Sequence, residues 1–414
     1  MTTSAYFSPA RPTILRRLHE GPLGPYIDEY AARLVEQGLG QSTGKRTLRL
    51  IADLSRWLER KGLAVDDVNE ATLERYRRFR ARTWPMRFGD PIALRRFLDR
   101  MRDLDICASP LLAPLSPRAQ VQDDFNRYLS QDIGLSSRTL EHYAQLLDRF
   151  LQEQVGPDGP HWSALTGAQV LRFFRRCARR RSPAYLQRLR TALRAFLRYL
   201  QYRGEIQIDL GGCIPAVARW RLAVLPKYLS ATDVRRLLGS CDRCTAVGRR
   251  DYAILLMLAR LGLRAIEAAT LGLDDIDWQA GQLTLHAKGG ERALMPLPAE
   301  VGKAICDYLQ HGRPPSSSRR VFLRHNAPHV GFAKSSCISS IVKIAMERAG
   351  LDPPYKGAHV LRHTLATQML NHGASLQEIG QVLRHRRPDT TLIYAKVDLP
   401  ALRSVALPWL EGAR

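Results

Sequence analysis

Between His359 and Tyr394 the sequence places an imidazole, a guanidinium, a second imidazole and a phenol within three short segments. His359 and Arg362 stand three residues apart, so a helix presents both on one face. That helix is predicted to end at Asn371–Gly373, where glycine supplies a left-handed cap. Ser375 followed by Glu378 has the form of a capping box and opens a second helix, Leu376 to Leu383. His385 lies just past its end. After the break at Pro388, Asp389, Thr390 or Thr391 caps a third short helix, with Tyr394 in its first turn. Such a set suits attack on a phosphodiester, which needs its charge clamped, a nucleophile aimed in line and a proton for the leaving oxygen. Arginine suits the clamp because its planar fork holds two phosphate oxygens at any working pH. Tyrosine suits the nucleophile once basic neighbours stabilise the phenolate, its ordinary pKa being about 10.

The order and spacing of His359-x-x-Arg362-His363, His385 and Tyr394 resemble the signature of the tyrosine recombinase (phage integrase) family. Two upstream segments extend the resemblance. Leu261-Gly-Leu-Arg264-Ala-Ile-Glu267 is similar to the family's first arginine box, and Lys288 in LTLHAKGGERALMPLP is similar to its hairpin lysine. The match spans roughly residues 225 to 400. One position departs: the family commonly has glycine directly before the second imidazole, and this chain has Arg384.

The resemblance implies that Tyr394 attacks the scissile phosphate, leaving a 3′-phosphotyrosyl link and a free 5′-hydroxyl. Arg264 and Arg362 would hold the non-bridging oxygens, and Lys288 would act as general acid on the departing oxygen. His359 would move a proton with Tyr394, and His385 would donate to the phosphate. Bond energy stays in the phosphotyrosine, so neither a cofactor nor a metal is expected. The remaining histidines, His311, His325, His329, His363 and His372, read as core or capping residues, with His363 buttressing Arg362. For Arg264, pairing with Glu267 or Glu291 on the surface is the competing structural reading.

The chain's 414 residues leave room for two or three domains. A net charge of +24, from 63 Lys and Arg against 39 Asp and Glu, points to a polyanion, double-stranded DNA above an anionic membrane. No run of about 18 apolar residues appears, and the N-terminus lacks the apolar core of a signal peptide, so a cytoplasmic protein is expected. The seven cysteines show no disulfide spacing. Cys241-x-x-Cys244 has no second pair at zinc spacing and reads as two small thiols at a helix end.

The first hundred residues are echoed by the second. Thr43, Leu54, Val68, Leu73, Tyr76, Leu94 and Phe97 recur as Thr139, Phe150, Leu165, Val170, Phe173, Leu193 and Phe196, at an offset of 96 to 99. Each copy reads as four amphipathic helices and resembles the helical, SAM-like core-binding domain of the family. The expected plan is an N-terminal extension (1–20), a first SAM-like domain and possible duplicate (21–115), a core-binding SAM-like domain (118–215), a linker (216–226) and the catalytic domain (227–414). Pro110, Pro114 and Pro117 mark the first junction. The fold class expected is mainly α, with a small antiparallel sheet in the catalytic domain around the alternating residues on either side of Gly281 and Gly289.

Residues 170 to 203 contain eleven Arg and no Asp or Glu. On the helix from about Ala184 to Gln201, Arg190, Arg194 and Arg198 form a stripe apart from the buried Leu186, Leu189, Leu193, Phe196, Leu197 and Leu200. Like charges at this spacing destabilise a helix unless an anion relieves them, so the stripe reads as a grip on DNA phosphates. Arg75, Arg77, Arg78, Arg80 and Arg82 form a more diluted version in the first copy. Val405, Leu407, Trp409 and Leu410 give the C-terminal tail an apolar side, suited to a neighbouring subunit or to its own domain.

Three functions fit. The first is a site-specific recombinase of a mobile element, for integration, excision or transposition, working as a homo-tetramer on DNA or with related recombinases. The second is a type IB topoisomerase-like nicking and closing enzyme. The third is a DNA-binding regulator with an inactive recombinase-like domain.

Overall fold

The computed structural model describes residues 3–8, 12–82, 84–108, 115–218, 225–286, 292–385 and 387–397. The chain divides into two compact units, one formed by Met1–Ala108 with Leu225–Arg414 and the other by Ser109–Val224. The fold is mainly helical with small antiparallel sheets.

The first segment of the chain forms α1 (Pro12–Leu18), α2 (Ile27–Glu36), α3 (Gln41–Arg60), α4 (Glu70–Ala81) and α5 (Asp90–Asp103). Their apolar faces close a core around Ile27, Leu48, Ile51, Trp57, Tyr76 and Phe97. Tyr6, Phe7 and Leu18, from the first twenty residues, belong to the same core. Asn69 caps α4 by accepting from the Thr72 amide, the kind of cap that fixes where a helix begins. The arginines of α4 do not form the free stripe expected. Arg77 and Arg78 pair with Glu74, Arg80 pairs with Asp53, and Arg75 lies over the Trp57 ring. Acids on α3 and on α4 itself occupy them.

The second unit contains α6 (Pro117–Gln131), α7 (Ser137–Gln154), a two-residue ribbon of β1 (Val155–Gly156) and β2 (Gly159–Pro160), α8 (Gly167–Ala178) and α9 (Pro183–Tyr202). Pro117 opens α6 behind a Ser116 cap; Pro110 and Pro114 lie outside the described residues. The six apolar residues predicted for the inner stripe of α9 are all buried, in a core that also holds Phe125, Phe150 and Trp162. Arg190, Arg194 and Arg198 have no acidic partner among the described residues, and the Nε atoms of Arg190 and Arg194 are buried without an acceptor.

The remainder of the first unit holds α10 (Ala231–Gly239), α11 (Ala246–Leu261), α12 (Ala265–Thr270), β3 (Ile276–Asp277), β4 (Gln282–His286), β5 (Arg292–Pro296), α13 (Ala299–His311), α14 (Ser335–Arg348), α15 (Ala358–Asn371) and α16 (Leu376–Val382). Helix α11 is the axis: Ala253 to Ala259 are all buried, and α13, α14 and α15 pack around it. Strands β3, β4 and β5 form an antiparallel sheet with Leu283 opposite Met295. Leu283 and Leu285 face the core between exposed Gln282 and His286, the period-two pattern of a half-buried strand. A smaller cluster of Ala366, Ile379, Leu383 and Tyr394 ties α15 and α16 to the end of the chain. Helix α10 begins at Ser230, whose hydroxyl accepts from the Asp233 amide. Near its other end Cys241 is buried and Cys244 exposed, and burial pushes the Cys241 thiol up to about 11, which suits a packing role.

Within this first unit, the segment between α13 and α14 touches the first bundle: the His329 amide donates to the Gln37 carbonyl at 3.2 Å. Next to it Gly38 has φ +75°, and a Cβ there would fall 2.3 Å from His329 Nδ1. No helix among the described residues is long and apolar enough to cross a membrane.

Candidate active site

The site begins where α11 ends. Gly262 takes φ +58°, a conformation that costs any residue with a Cβ about 1–2 kcal/mol, and so turns the chain to present Arg264. The Arg264 guanidinium donates from Nη1 to Glu267 Oε1 at 2.7 Å and from Nη2 to the Arg384 carbonyl at 2.9 Å. Glu267 also accepts the Arg264 backbone N–H at 2.8 Å. The expected alternative of a surface Arg264–Glu267 pair is thus half present: the pair exists, but Glu267 is buried and holds Arg264 toward the site. Glu291 lies outside the described residues.

Helix α15 carries the next three groups. Arg362 is buried, and its guanidinium donates to the carbonyls of Gly262 and Leu383. It therefore ties the end of α11 to the end of α16. Burial pushes its pKa down, helped by Arg264 and Arg384, to about 10, so it stays charged at neutral pH. Each of Arg264 and Arg362 spends two of its five N–H donors on these contacts, leaving three apiece for phosphate oxygens.

His363 departs from expectation. Its Nδ1 and the Tyr394 hydroxyl share a hydrogen bond of 2.9 Å, with the rings 5.6 Å apart and edge to face. His363 follows His359 by one helical turn (i, i+4), so the two imidazoles lie on the same side of α15, and His363 reaches the segment that carries Tyr394. His359 stands one turn earlier, its ring 6.3 Å from that of His363. Both imidazoles are held below their ordinary range. For His359 the causes are burial, then Arg362 and Arg264; for His363 they are burial, then His359 and Arg362.

Helix α16 starts with the predicted capping box of Ser375 and Glu378 and delivers His385. The His385 Nδ1 bonds the Thr391 hydroxyl at 2.8 Å. Burial, then Arg362 and Arg264, push this imidazole down to about 4. A neutral ring whose Nδ1 accepts from Thr391 still carries a proton on Nε2 and can donate it. Directly before it, Arg384 sits at φ +54°, so this backbone takes the glycine-like conformation although the residue is arginine. Its Nη2 donates to Glu267 Oε2 at 2.8 Å. Burial would raise the Glu267 carboxyl, but Arg384 and the donors of Arg264 outweigh it and hold the group below its ordinary value.

The third short helix expected forms as a 3-10 helix, Leu392–Val397, with Tyr394 in its first turn, after a 3-10 turn at Pro388–Thr390. Tyr394 is 2 % exposed. Burial pushes its phenol up to about 12, against the pull of Arg362; the basic surroundings expected to lower it lose to desolvation in this state. Lys288 and the tail residues Val405, Leu407, Trp409 and Leu410 lie outside the described residues, and strands β4 and β5 flank the segment that carries Lys288. Arg264, His359, Arg362, His385 and Tyr394 thus come together, and the contacts of His363 with Tyr394, of Glu267 with Arg384 and of Thr391 with His385 were not legible in the sequence. The Arg264–Glu267 pair was legible in its three-residue spacing. Among the described residues no cluster of potential metal ligands occurs.

Comparison with known proteins identifies the family. Residues 227–399 match the profile of the phage integrase family, and residues 123–204 match the phage integrase N-terminal SAM-like domain. The proposed integrase/recombinase y4rA of Sinorhizobium fredii is 43% identical over 397 residues, 95% of this chain and 96% of the relative. The tyrosine recombinase XerD of Listeria innocua is 31% identical over 297 residues, 68% of this chain and 96% of the relative. Among solved structures, the XerH site-specific recombinase bound to a palindromic difH substrate in a post-cleavage complex aligns with a TM-score of 0.54 at 19% identity. It covers 73% of this chain and 99% of that one.

Proposed function

This chain belongs to the phage integrase family and is a tyrosine site-specific recombinase, and from that premise we propose that it exchanges DNA strands through a 3′-phosphotyrosyl intermediate in the service of a mobile element. The observation that carries the reading is the set of hydrogen bonds that draws Arg264, Arg362, His385 and the His363-bonded Tyr394 together where the ends of α11 and α16, helix α15 and the last turn meet.

Tyr394 Oη attacks the scissile phosphorus, and its proton passes to His363 Nδ1, the neutral acceptor already on the hydroxyl. The phosphorus–O5′ bond breaks, and Lys288 supplies the proton that the 5′-oxygen takes up. Arg264 and Arg362, fixed in advance by Glu267 and by backbone carbonyls, meet the charge that grows on the non-bridging oxygens, and His385 donates from Nε2. His359 completes the site as a partner of the phosphate and of His363. In the reverse step a 5′-hydroxyl from another strand attacks the phosphotyrosine and frees Tyr394.

Arg190, Arg194 and Arg198 hold duplex phosphates, which the missing acidic partners on α9 favour. Exchange between two duplexes breaks four strands, and each chain has one Tyr394. Four copies, or copies shared with related recombinases, therefore act together on double-stranded DNA.

The test is a nicked suicide substrate covering the ends of the genetic element that encodes the chain. A covalent protein–DNA adduct on a denaturing gel is expected, absent in Tyr394→Phe. Joining of strands between two different duplexes separates recombination from nicking and closing on one duplex. Tight binding with no adduct on any end would overturn the reading in favour of a regulator.

A further inference from the structure

Arg384 acts on Arg264 from both of its ends. Its backbone carbonyl accepts Arg264 Nη2 at 2.9 Å, and its own Nη2 donates at 2.8 Å to Oε2 of Glu267, the carboxylate whose Oε1 holds Arg264 Nη1. The guanidinium is fixed on its other side, where Nη1 donates to the Val382 carbonyl at 3.3 Å and meets Met295 Sδ of β5 at 3.2 Å. The Arg384 side chain is 15% exposed and that of Glu267 3%, so the pair interacts through protein more than through water. The field of this group reaches Arg362, whose guanidinium is pushed down by burial, then by Arg264 and Arg384, and up by Glu267.

An ion pair at the end of a helix is most often structural, a way of burying a carboxylate. Glu267 does not need Arg384 for that. The Arg264 Nη1 and backbone N–H already occupy its two oxygens, and glycine would take the φ of +54° without the strain that arginine bears there. What Arg384 adds is charge. Glu267 neutralises one cation, and with Arg264 as its only partner that cation would be the one that faces the phosphate. Among the described residues no other carboxylate pairs with Arg264, Arg362 or Arg384, so the three guanidiniums exceed their acid by two charges. The non-bridging oxygens of a phosphodiester carry one negative charge at rest and approach two as attack proceeds, which this surplus matches. Without Arg384 the surplus falls to one. We propose that Arg384 is a positioning residue for strand cleavage: it balances Glu267, so that the carboxylate holds Arg264 in place while the charge of Arg264 stays available to the scissile phosphate. The proposal rests on the reading that Arg264 and Arg362 clamp that phosphate.

The experiment compares wild type, Arg384→Gln, Arg384→Lys and Arg384→Gly in single-turnover cleavage of the nicked suicide substrate, with a phosphate or a methylphosphonate at the scissile position. Methylphosphonate replaces one charged oxygen by a methyl group, so its transition state asks for one cation fewer. On phosphate, Arg384→Gln and Arg384→Gly should form adduct at least about tenfold more slowly than wild type at saturating DNA, while Arg384→Lys, which keeps the charge, stays within about threefold. On methylphosphonate the four chains should agree within about threefold. Arg384→Gly, free of backbone strain, keeps the comparison valid should Arg384→Gln fold poorly. Wild-type rates in Arg384→Gln and Arg384→Gly, a loss that methylphosphonate does not reduce, or an equal loss in Arg384→Lys would each overturn the proposal. Equilibrium binding in a Tyr394→Phe background separates it from the strand-cutting reading. There the preference for the phosphate duplex over the methylphosphonate duplex should shrink at least about threefold when Arg384→Gln is added, and an unchanged preference would overturn the proposal. That shrinkage without any adduct from the wild-type chain would leave the balance of Glu267 by Arg384 standing and sink strand cutting.

Discussion

At Tyr394 burial and a nearby cation act in opposite directions, and burial prevails, placing the phenol near 12. At pH 7 a group at that value is ionised about once in 10⁵ molecules, so proton removal must accompany attack, and His363 is the group in place to receive it. His363→Ala is expected to slow adduct formation about 10²- to 10⁴-fold with little change in DNA affinity, measured by single-turnover cleavage and mobility shift. Because His363 is held below the ordinary histidine range, the acid limb of the cleavage rate should lie below about pH 6.5; an acid limb above that would count against His363 as acceptor. Linkage gives a companion effect on stability. His359, His363 and His385 all titrate lower in the folded chain, His385 near 4. The unfolded chain therefore binds more protons between its ordinary value of about 6.5 and the folded values, so stability is complete above about 6.5 and falls as pH drops toward 4. Thermal melts from pH 8 to 4 should show the loss, and His385→Asn should make it shallower. Arg384 offers a separate test. Arg384→Gly removes a left-handed strain of about 1–2 kcal/mol and an ion pair to Glu267 that Arg264 still satisfies, so urea unfolding should change by no more than about 1 kcal/mol. Arg384→Ala keeps the strain, loses the pair and should be the less stable of the two.

The elements of the site were readable in the sequence where their causes are local. The capping box of Ser375 and Glu378 and the left-handed Gly373 each depend on a few neighbouring residues, and each stands where the spacing predicts. Contacts made across the fold were not readable in this way. His363 meets Tyr394 only because α15 and the last turns pack around Ile379 and Leu383, and Arg80 of α4 lost its apparent freedom to Asp53 on another helix. Glycine at the end of α11 ties these levels together, since its carbonyl receives Arg362 and a Cβ would meet Leu383 at 2.7 Å. Gly262→Ala is expected to cost at least about 1 kcal/mol by backbone strain alone and to lower the cleavage rate more than DNA affinity, a split readable from single-turnover kinetics at saturating DNA.

For the whole molecule, charge governs the encounter with DNA. With a net charge of +24, affinity for any duplex should fall steeply with salt, the slope of log K against log salt losing about 0.9 for each phosphate contact removed. Replacing Arg190, Arg194 and Arg198 by alanine should flatten that slope by about 2.7 and weaken all sequences alike; an unchanged slope would show that α9 does not touch the backbone.

The contact of Gly38 with His329 joins two stretches of one compact unit with the whole of Ser109–Val224 between them in the chain. On the ribosome Gly38 therefore emerges about 290 residues before His329, a wait of about 15–60 s at ordinary elongation rates. The surface around Gly38 must stay soluble alone for that time, and a nascent chain stalled before residue 329 should display it to chaperones.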